Sequence, residues 1–323
     1  MAAESAKAGD PAGAALALQE GVALLRQGGP SASGFRATSE AYYLGRQAAS
    51  VGQPATAREA YRAGLASIGG EDVLDSNRGP LLLATGDAWT QEGKDEKALE
   101  SYRGAVVAQR LVSTSINRLN CLTALIKAEA KAGEKASLEA LIEEGIEVVE
   151  GMGGGSPEEG AGIAVHRLAR AAEAADRLTQ ARRAYELALD LLGEGSTQLP
   201  RAIVWQDIGD TWIAEDDGTR ALRAYRTASE NLAFMYPISR LLLFSDLAPA
   251  ELRWGERSTC EATIRQAAEL LEEIPPAAAP DSLSDALTAL TELSEQLGCP
   301  ELAAAFAGRL AESDEPAPAA SGQ

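Results

Sequence analysis

Four segments of this chain place large and tiny side chains at the same offsets, and that repetition restricts its fold more than any other feature. The stretch "VWQDIGDTWIAEDDGTRALRAYRTASENL" sets Trp205, Ile208, Gly209 and Trp212 ahead of Ala221, Tyr225 and Ala228. "LATGDAWTQEGKDEKALESYRGA" repeats the frame with Leu82, Gly86, Trp89, Ala98, Tyr102 and Ala105. So do Ala41, Leu44, Gly45, Ala48, Ala57, Tyr61 and Gly64, and again Val165, Leu168, Ala169, Ala172, Ala181, Tyr185 and Ala188. Three looser copies are marked by Leu122, Leu125, Leu138, Ile142 and Gly145, by Phe244, Leu247, Ala248, Cys260, Ile264 and Ala267, and by Leu287, Leu290, Ala303 and Phe306. Turn residues fall between the two halves of each copy at Gly52, Gly93, Gly133, Asp176, Asp216, Gly255 and Gly298, successively 39 to 43 residues apart.

Each copy reads as two helices joined by a turn. A large residue packs between them, and the small residue four positions later lets the partner backbone come close. Ala and Tyr of the second helix fill the seam to the next copy. One such hairpin cannot bury its apolar face alone, whereas stacked hairpins share a continuous core. The frame resembles the tetratricopeptide repeat, with its W-x2-L-G-x2-Y and A-x3-F signatures. The longer period is similar to kinesin-light-chain-type repeats and to those of bacterial regulatory proteins. The resemblance spans about residues 35 to 312. It implies an all-α solenoid of about seven antiparallel helical hairpins in a right-handed superhelix, and a partner peptide or helix held along the concave groove. It does not extend to the peptide-carboxylate clamp of chaperone co-factors, because Asn120 and Lys127 stand isolated.

Composition agrees with helices: 46% of the residues are hydrophobic but only 5% aromatic, and strand-type alternation is scarce. A net charge of −19 argues against nucleic acid or an anionic membrane surface as partner. No basic run followed by an apolar core opens the chain, and no window approaches the length of about 18 apolar residues that suggests a membrane span. Three widely spaced cysteines, Cys121, Cys260 and Cys299, fit reduced thiols and a cytoplasmic setting. The expected organisation is an N-terminal capping helix with its flanks over 1–30, the solenoid over 31–313 with a glycine-rich break at 151–160, and a disordered tail over 314–323. Asp10 would cap the first helix, Pro11 would sit in its first turn, and Gly28, Gly29 and Pro30 would stop it.

Two columns on the first helices face the expected groove. One holds Arg46, Asp87, Lys127, Arg170, Asp210, Pro249 and Glu292, and the other Tyr42, Leu83, Thr123, His166, Gln206, Ser245 and Thr288. From these the partner-binding residues are expected to be Tyr42, Arg46, Asp87, Lys127, His166, Arg167, Arg170, Gln206, Asp207 and Asp210. A basic centre and an acidic C-terminal half would orient a peptide by charge. The alternative is that these are solvated faces exchanging ion pairs worth about 0.2–1 kcal/mol. A column of arginines, Arg36, Arg78, Arg118, Arg201 and Arg240, is expected to tie neighbouring repeats together, and Pro249 to kink its helix.

His166, the only histidine, has no second histidine or cysteine beside it, so neither a metal site nor a nucleophilic triad is indicated. Asp207 and Asp210 share a helical face, but surface carboxylates explain them without acid–base chemistry. The function expected is a non-enzymatic interaction scaffold, without cofactor. The other reading is a ligand-responsive sensor whose curvature changes about a hinge at 152–155. Oligomeric state is not legible.

Overall fold

The computed structural model describes residues 11–27, 34–68, 74–112, 115–152, 160–193, 198–232, 237–275 and 281–314. Among the described residues the chain is helical, with fifteen α-helices, a short 3-10 turn at Leu271–Glu273 and no strand. They divide into two compact units, Met1–Leu187 and Ala188–Gln323.

In the first unit, α1 (Pro11–Gln27) covers the hairpin of α2 (Gly34–Ser50) and α3 (Pro54–Ile68). α4 (Arg78–Gln91) and α5 (Asp95–Arg110) form the next hairpin, and α6 (Ser115–Ala132) pairs with α7 (Lys135–Gly151). α8 (Ala161–Ala174) and α9 (Leu178–Leu192) follow, the unit boundary falling within α9. The second unit holds α10 (Gln198–Ala214) with α11 (Gly218–Leu232), α12 (Pro237–Trp254) with α13 (Arg257–Leu270), and α14 (Asp281–Gln296) with α15 (Pro300–Asp314). This makes seven hairpins and one additional N-terminal helix, an α-solenoid in its succession of helix pairs.

Six of the seven expected turn residues carry a left-handed backbone: Gly52, Gly93, Gly133, Asp176, Asp216 and Gly298. Such a residue closes a helix C-terminus by letting the following amides bond back to its last carbonyls. Lys94 N bonds Trp89 O at 3.0 Å and Asp217 N bonds Trp212 O at 2.9 Å. Gly255 differs, because α12 ends with its amide on Glu251 O at 2.9 Å and no positive φ. Pro249 lies on the exposed side of α12, and the helix runs through it.

The small position does not admit a backbone, as the sequence frame suggested, but a ring. A Cβ at Gly45, Gly86 or Gly209 would fall 2.1, 2.4 or 2.5 Å from Cε1 of Tyr61, Tyr102 or Tyr225 of the same hairpin. Tyrosine therefore closes its own helix pair, and the hydroxyls of Tyr102 and Tyr225 bond Asp87 and Asp210 of the first helix. The cores form around these rings. Tyr61 packs with Leu18, Ala48, Ala57 and Leu81 in the first unit. Tyr225, Phe244, Ile264, Leu287 and Phe306 belong to one cluster in the second. Each fully buried large side chain contributes about 1.5–3 kcal/mol.

Buried charge adds a second tie between hairpins. Glu129 on α6 and Glu251 on α12 are 3% and 4% exposed, and both sit four residues before their turn. Glu251 accepts from Thr263 Oγ1 at 2.6 Å and from Arg226 of the preceding hairpin at 3.3 Å. Glu129 is held by Ser137 and by Arg103 of the preceding hairpin, the latter at 3.2 Å. The arginine column works in the same sense at Arg201, which donates to Leu189 O at 2.8 Å and Gly193 O at 3.1 Å, closing the end of α9. Arg118 instead meets Glu144 of its own hairpin, at 2.6 Å.

Asp10, Gly28, Gly29 and Pro30 fall outside the described residues, as do most of the glycine-rich break and hinge and the tail from 315 onward.

Candidate functional site

α6 turns Asn120, Thr123, Ala124, Lys127, Ala128 and Lys131 toward one side because residues three and four apart share a helical face. Across from them α4 contributes Leu83, Asp87 and Thr90, and α5 contributes Asp95, Ala98, Leu99 and Tyr102. Arg167 of α8 also lines it. Because Ala98, Ala124 and Ala128 carry no bulk, these helices leave a cleft of about 810 Å3. That volume lies within the range of about 300–1,000 Å3 typical of ligand sites.

The charges on its walls are not equivalent. Lys131 pairs with Asp95 at 2.7 Å, and Glu134 pairs with Arg103. Tyr102 donates to Asp87 Oδ1 at 2.9 Å and lies 3.1 Å from Thr90 Oγ1. Asp87 keeps solvent access at the mouth, yet the surrounding walls thin the water near its carboxyl. This desolvation raises its pKa above the ordinary carboxylate value, against the opposing bond from Tyr102. Burial likewise pushes the Tyr102 phenol up, so it stays a donor. Lys127 and Arg167 are exposed, and among the described residues no carboxylate pairs with either. Thr123 is 6% exposed, and its Oγ1 has no hydrogen-bond partner. An orphaned buried hydroxyl costs about 1–3 kcal/mol.

Of the residues expected from sequence, Asp87, Lys127 and Arg167 meet in this cleft, joined by Leu83 and Thr123 of the second column. Tyr42 and Arg46 lie in the preceding hairpin, with the guanidinium 5.9 Å from the Tyr42 ring. His166 and Arg170 share α8 with Arg167 but do not line the cleft. The His166 ring sits 5.8 Å from that of Tyr185, whose hydroxyl bonds Glu173.

In the second unit Gln206 donates to Asp246 Oδ2 at 2.6 Å, and Tyr225 donates to Asp210 Oδ1 at 2.6 Å. Burial raises the Asp246 pKa, with the Gln206 bond working against it. Asp207 is half-buried on the same helix. Sequence reasoning treated Tyr102 and Tyr225 as packing residues only and missed their hydroxyls. The signal was present: an aspartate just after the small glycine, with tyrosine 15 residues on, at 87/102 and 210/225.

Among the described residues, no helix is long and apolar enough to cross a membrane. No group of three or more histidine, cysteine, aspartate or glutamate side chains is placed to hold a metal ion.

Stacked helix pairs with tyrosines seated on small residues make a helical-repeat fold of the tetratricopeptide type. Solved structures agree on that fold. A signal transduction ATPase with numerous domains, a STAND protein with a tetratricopeptide repeat sensor from Pyrococcus horikoshii, is similar with a TM-score of 0.57 at 9% identity, over 86% of this chain and 42% of that one. The apo form of RapI is similar with a TM-score of 0.50 at 11% identity, over 85% of this chain and 97% of that one. No protein-family model matches the chain, and no curated protein matches it.

Proposed function

We propose that the protein is a non-enzymatic interaction scaffold that holds a peptide segment of a partner protein in the cleft between α4, α5, α6 and α8. The observation that carries this reading is the cleft itself, whose alanine floor leaves room for a chain and whose walls present polar groups to orient it. Binding sites of this kind combine an apolar bed with a few convergent polar groups. Gln206, Asp207 and Asp210 give the second unit a further set of contacts, and Tyr42, Arg46, His166 and Arg170 flank the cleft's own hairpins. The net charge of −19 favours a protein partner over nucleic acid, and a cytoplasmic setting fits the unpaired cysteines.

Site-specific photocrosslinking tests the reading. A crosslinking residue at Ala124, on the cleft floor, is expected to trap a defined protein partner in native lysate. The same residue at Glu147, exposed on α7 and outside the cleft, is expected to trap none. A partner trapped at Glu147 and not at Ala124 would defeat the proposal.

A further inference from the structure

We infer that this cleft takes a small zwitterion, an α-amino acid with an apolar side chain, its ammonium on Asp87 and its carboxylate on Lys127 and Thr123. The inference goes beyond the holding of a partner segment, because the ligand is a free small molecule that occupies the same cleft.

The first argument is what remains once the wall charges are paired off. Asp87, Asp95, Glu96 and Glu134 line the cleft together with Lys127, Lys131 and Arg167. Asp95 is taken by Lys131, and Glu134 by Arg103. Among the described residues, the carboxylates of Asp87 and Glu96 and the cations of Lys127 and Arg167 are left without ionic partners. A cleft with one sign left over selects an ion of the other sign. One with both signs left over is complementary to a ligand that carries both.

The second argument is spacing. Asp87 on α4 and Lys127 on α6 each stand six residues before the turn glycine of their hairpin, Gly93 and Gly133, so they share a height on neighbouring first helices. α4 touches α6, and packed helices lie about 8–10 Å apart. The two charges do not meet across that gap. Tyr102 holds Asp87 Oδ1 at 2.9 Å from the α5 side, and no cation acts on the carboxyl, whose pKa burial raises against the Tyr102 bond. An ammonium and a carboxylate on one carbon, with a charge-assisted bond of about 2.7–2.9 Å at each end, span such a gap. A ligand with a single charge satisfies only one side.

The third argument is independent of charge. Thr123 lines the cleft one turn before Lys127, is more than nine-tenths buried, and leaves Oγ1 without a partner. Threonine in a helix divides between two χ1 wells, so a rotation turns the hydroxyl to a ligand carboxylate. α8 packs against α6, so Arg167 falls on the carboxylate side as a second cation. Leu83, Leu99, Ala98 and Ala124 supply the bed for an apolar side chain.

The test is isothermal titration calorimetry of the full chain with leucine, with N-acetyl-leucine, which lacks the ammonium, and with leucinamide, which lacks the carboxylate. Leucine is expected to bind about tenfold more tightly than either blocked form. D87N is expected to weaken leucine to the level of N-acetyl-leucine and leave N-acetyl-leucine itself unchanged. K127Q combined with R167Q is expected to weaken leucine to the level of leucinamide and leave leucinamide unchanged, a split that damage to the fold does not give. T123V is expected to weaken leucine several-fold while raising the Tm of the free chain. Equal binding of leucine and its blocked forms overturns the inference, as does leucine binding indifferent to these variants. No leucine binding with crosslinking at Ala124 intact overturns this inference alone. Leucine binding with no partner ever trapped at Ala124 supports it and defeats the scaffold reading alone.

Discussion

At Gly86 an alanine Cβ would fall 2.4 Å from Cε1 of Tyr102, closer than a real contact allows, so the ring or the helix must move. At Gly93, by contrast, nothing lies within 4 Å, but φ is +70°. The two glycines are needed for different reasons, and substitution separates them. Gly86→Ala is expected to cost about 1–3 kcal/mol through overpacking, and Tyr102→Leu in the same chain to recover part of it. Gly93→Ala is expected to cost about 1–2 kcal/mol from left-handed strain alone, with no rescue by any neighbour. Urea unfolding of the three variants against the parent chain checks both. The fourth hairpin already carries Ala169 opposite the fully buried Tyr185, so the Gly86 effect belongs to hairpins built around glycine. This distinction was half legible. A recurring turn residue announces itself, because few side chains accept a left-handed backbone. What the glycine four residues after the large position receives is not legible, because a backbone and a ring leave the same gap in the sequence. The orphaned hydroxyl of Thr123 was beyond sequence altogether, since no offset reports a missing partner.

Between helices, carboxylates join neighbouring hairpins through arginines that lie 25 to 40 residues away. Glu144 on α7 accepts from Arg110 of the preceding hairpin at 2.5 Å and from Arg118 of its own at 2.6 Å. Burial works to raise its pKa, but the two arginine bonds outweigh it and hold the carboxyl below its ordinary value. A depressed folded pKa means stability that is present above the unfolded pKa and lost as pH falls through the folded one. Glu144→Gln is therefore expected to cost about 1 kcal/mol near pH 7, a figure kept low because both arginines are partly exposed. The gap from the parent chain should close as pH drops below the ordinary carboxylate range. Thermal unfolding of both chains across pH 3 to 7 measures it, and a gap that persists in acid would show that Glu144 acts through packing. The sequence pointed to inter-repeat arginines but picked the column at the start of the first helices. The better signal was a glutamate four residues before a turn, where other repeats place Trp89 or Trp212. In those repeats Arg58 stacks on Trp89 at 3.7 Å and Arg220 on Trp212 at 4.6 Å. A cation thus meets this position whether it holds a ring or a carboxylate. Periodicity alone reads the column as apolar and hides that equivalence.

For the molecule as a whole, net charge sets a response that runs against that of the local ion pairs. A charge of −19 repels itself across the surface, and compaction draws those carboxylates together. Raising salt from about 10 mM to about 150 mM shortens the screening length from about 30 Å to about 8 Å, which removes most of that long-range repulsion. Close pairs such as Arg110 with Glu144 are screened far less, because they sit within a few ångströms and are partly buried. The Tm of the free chain is therefore expected to rise over this interval. An uncharged osmolyte at matched osmolality separates screening from general solvent exclusion: it should raise Tm by less than the salt does. If salt lowers Tm instead, local ion pairs outweigh the repulsion and the acidic surface is a minor influence on folding.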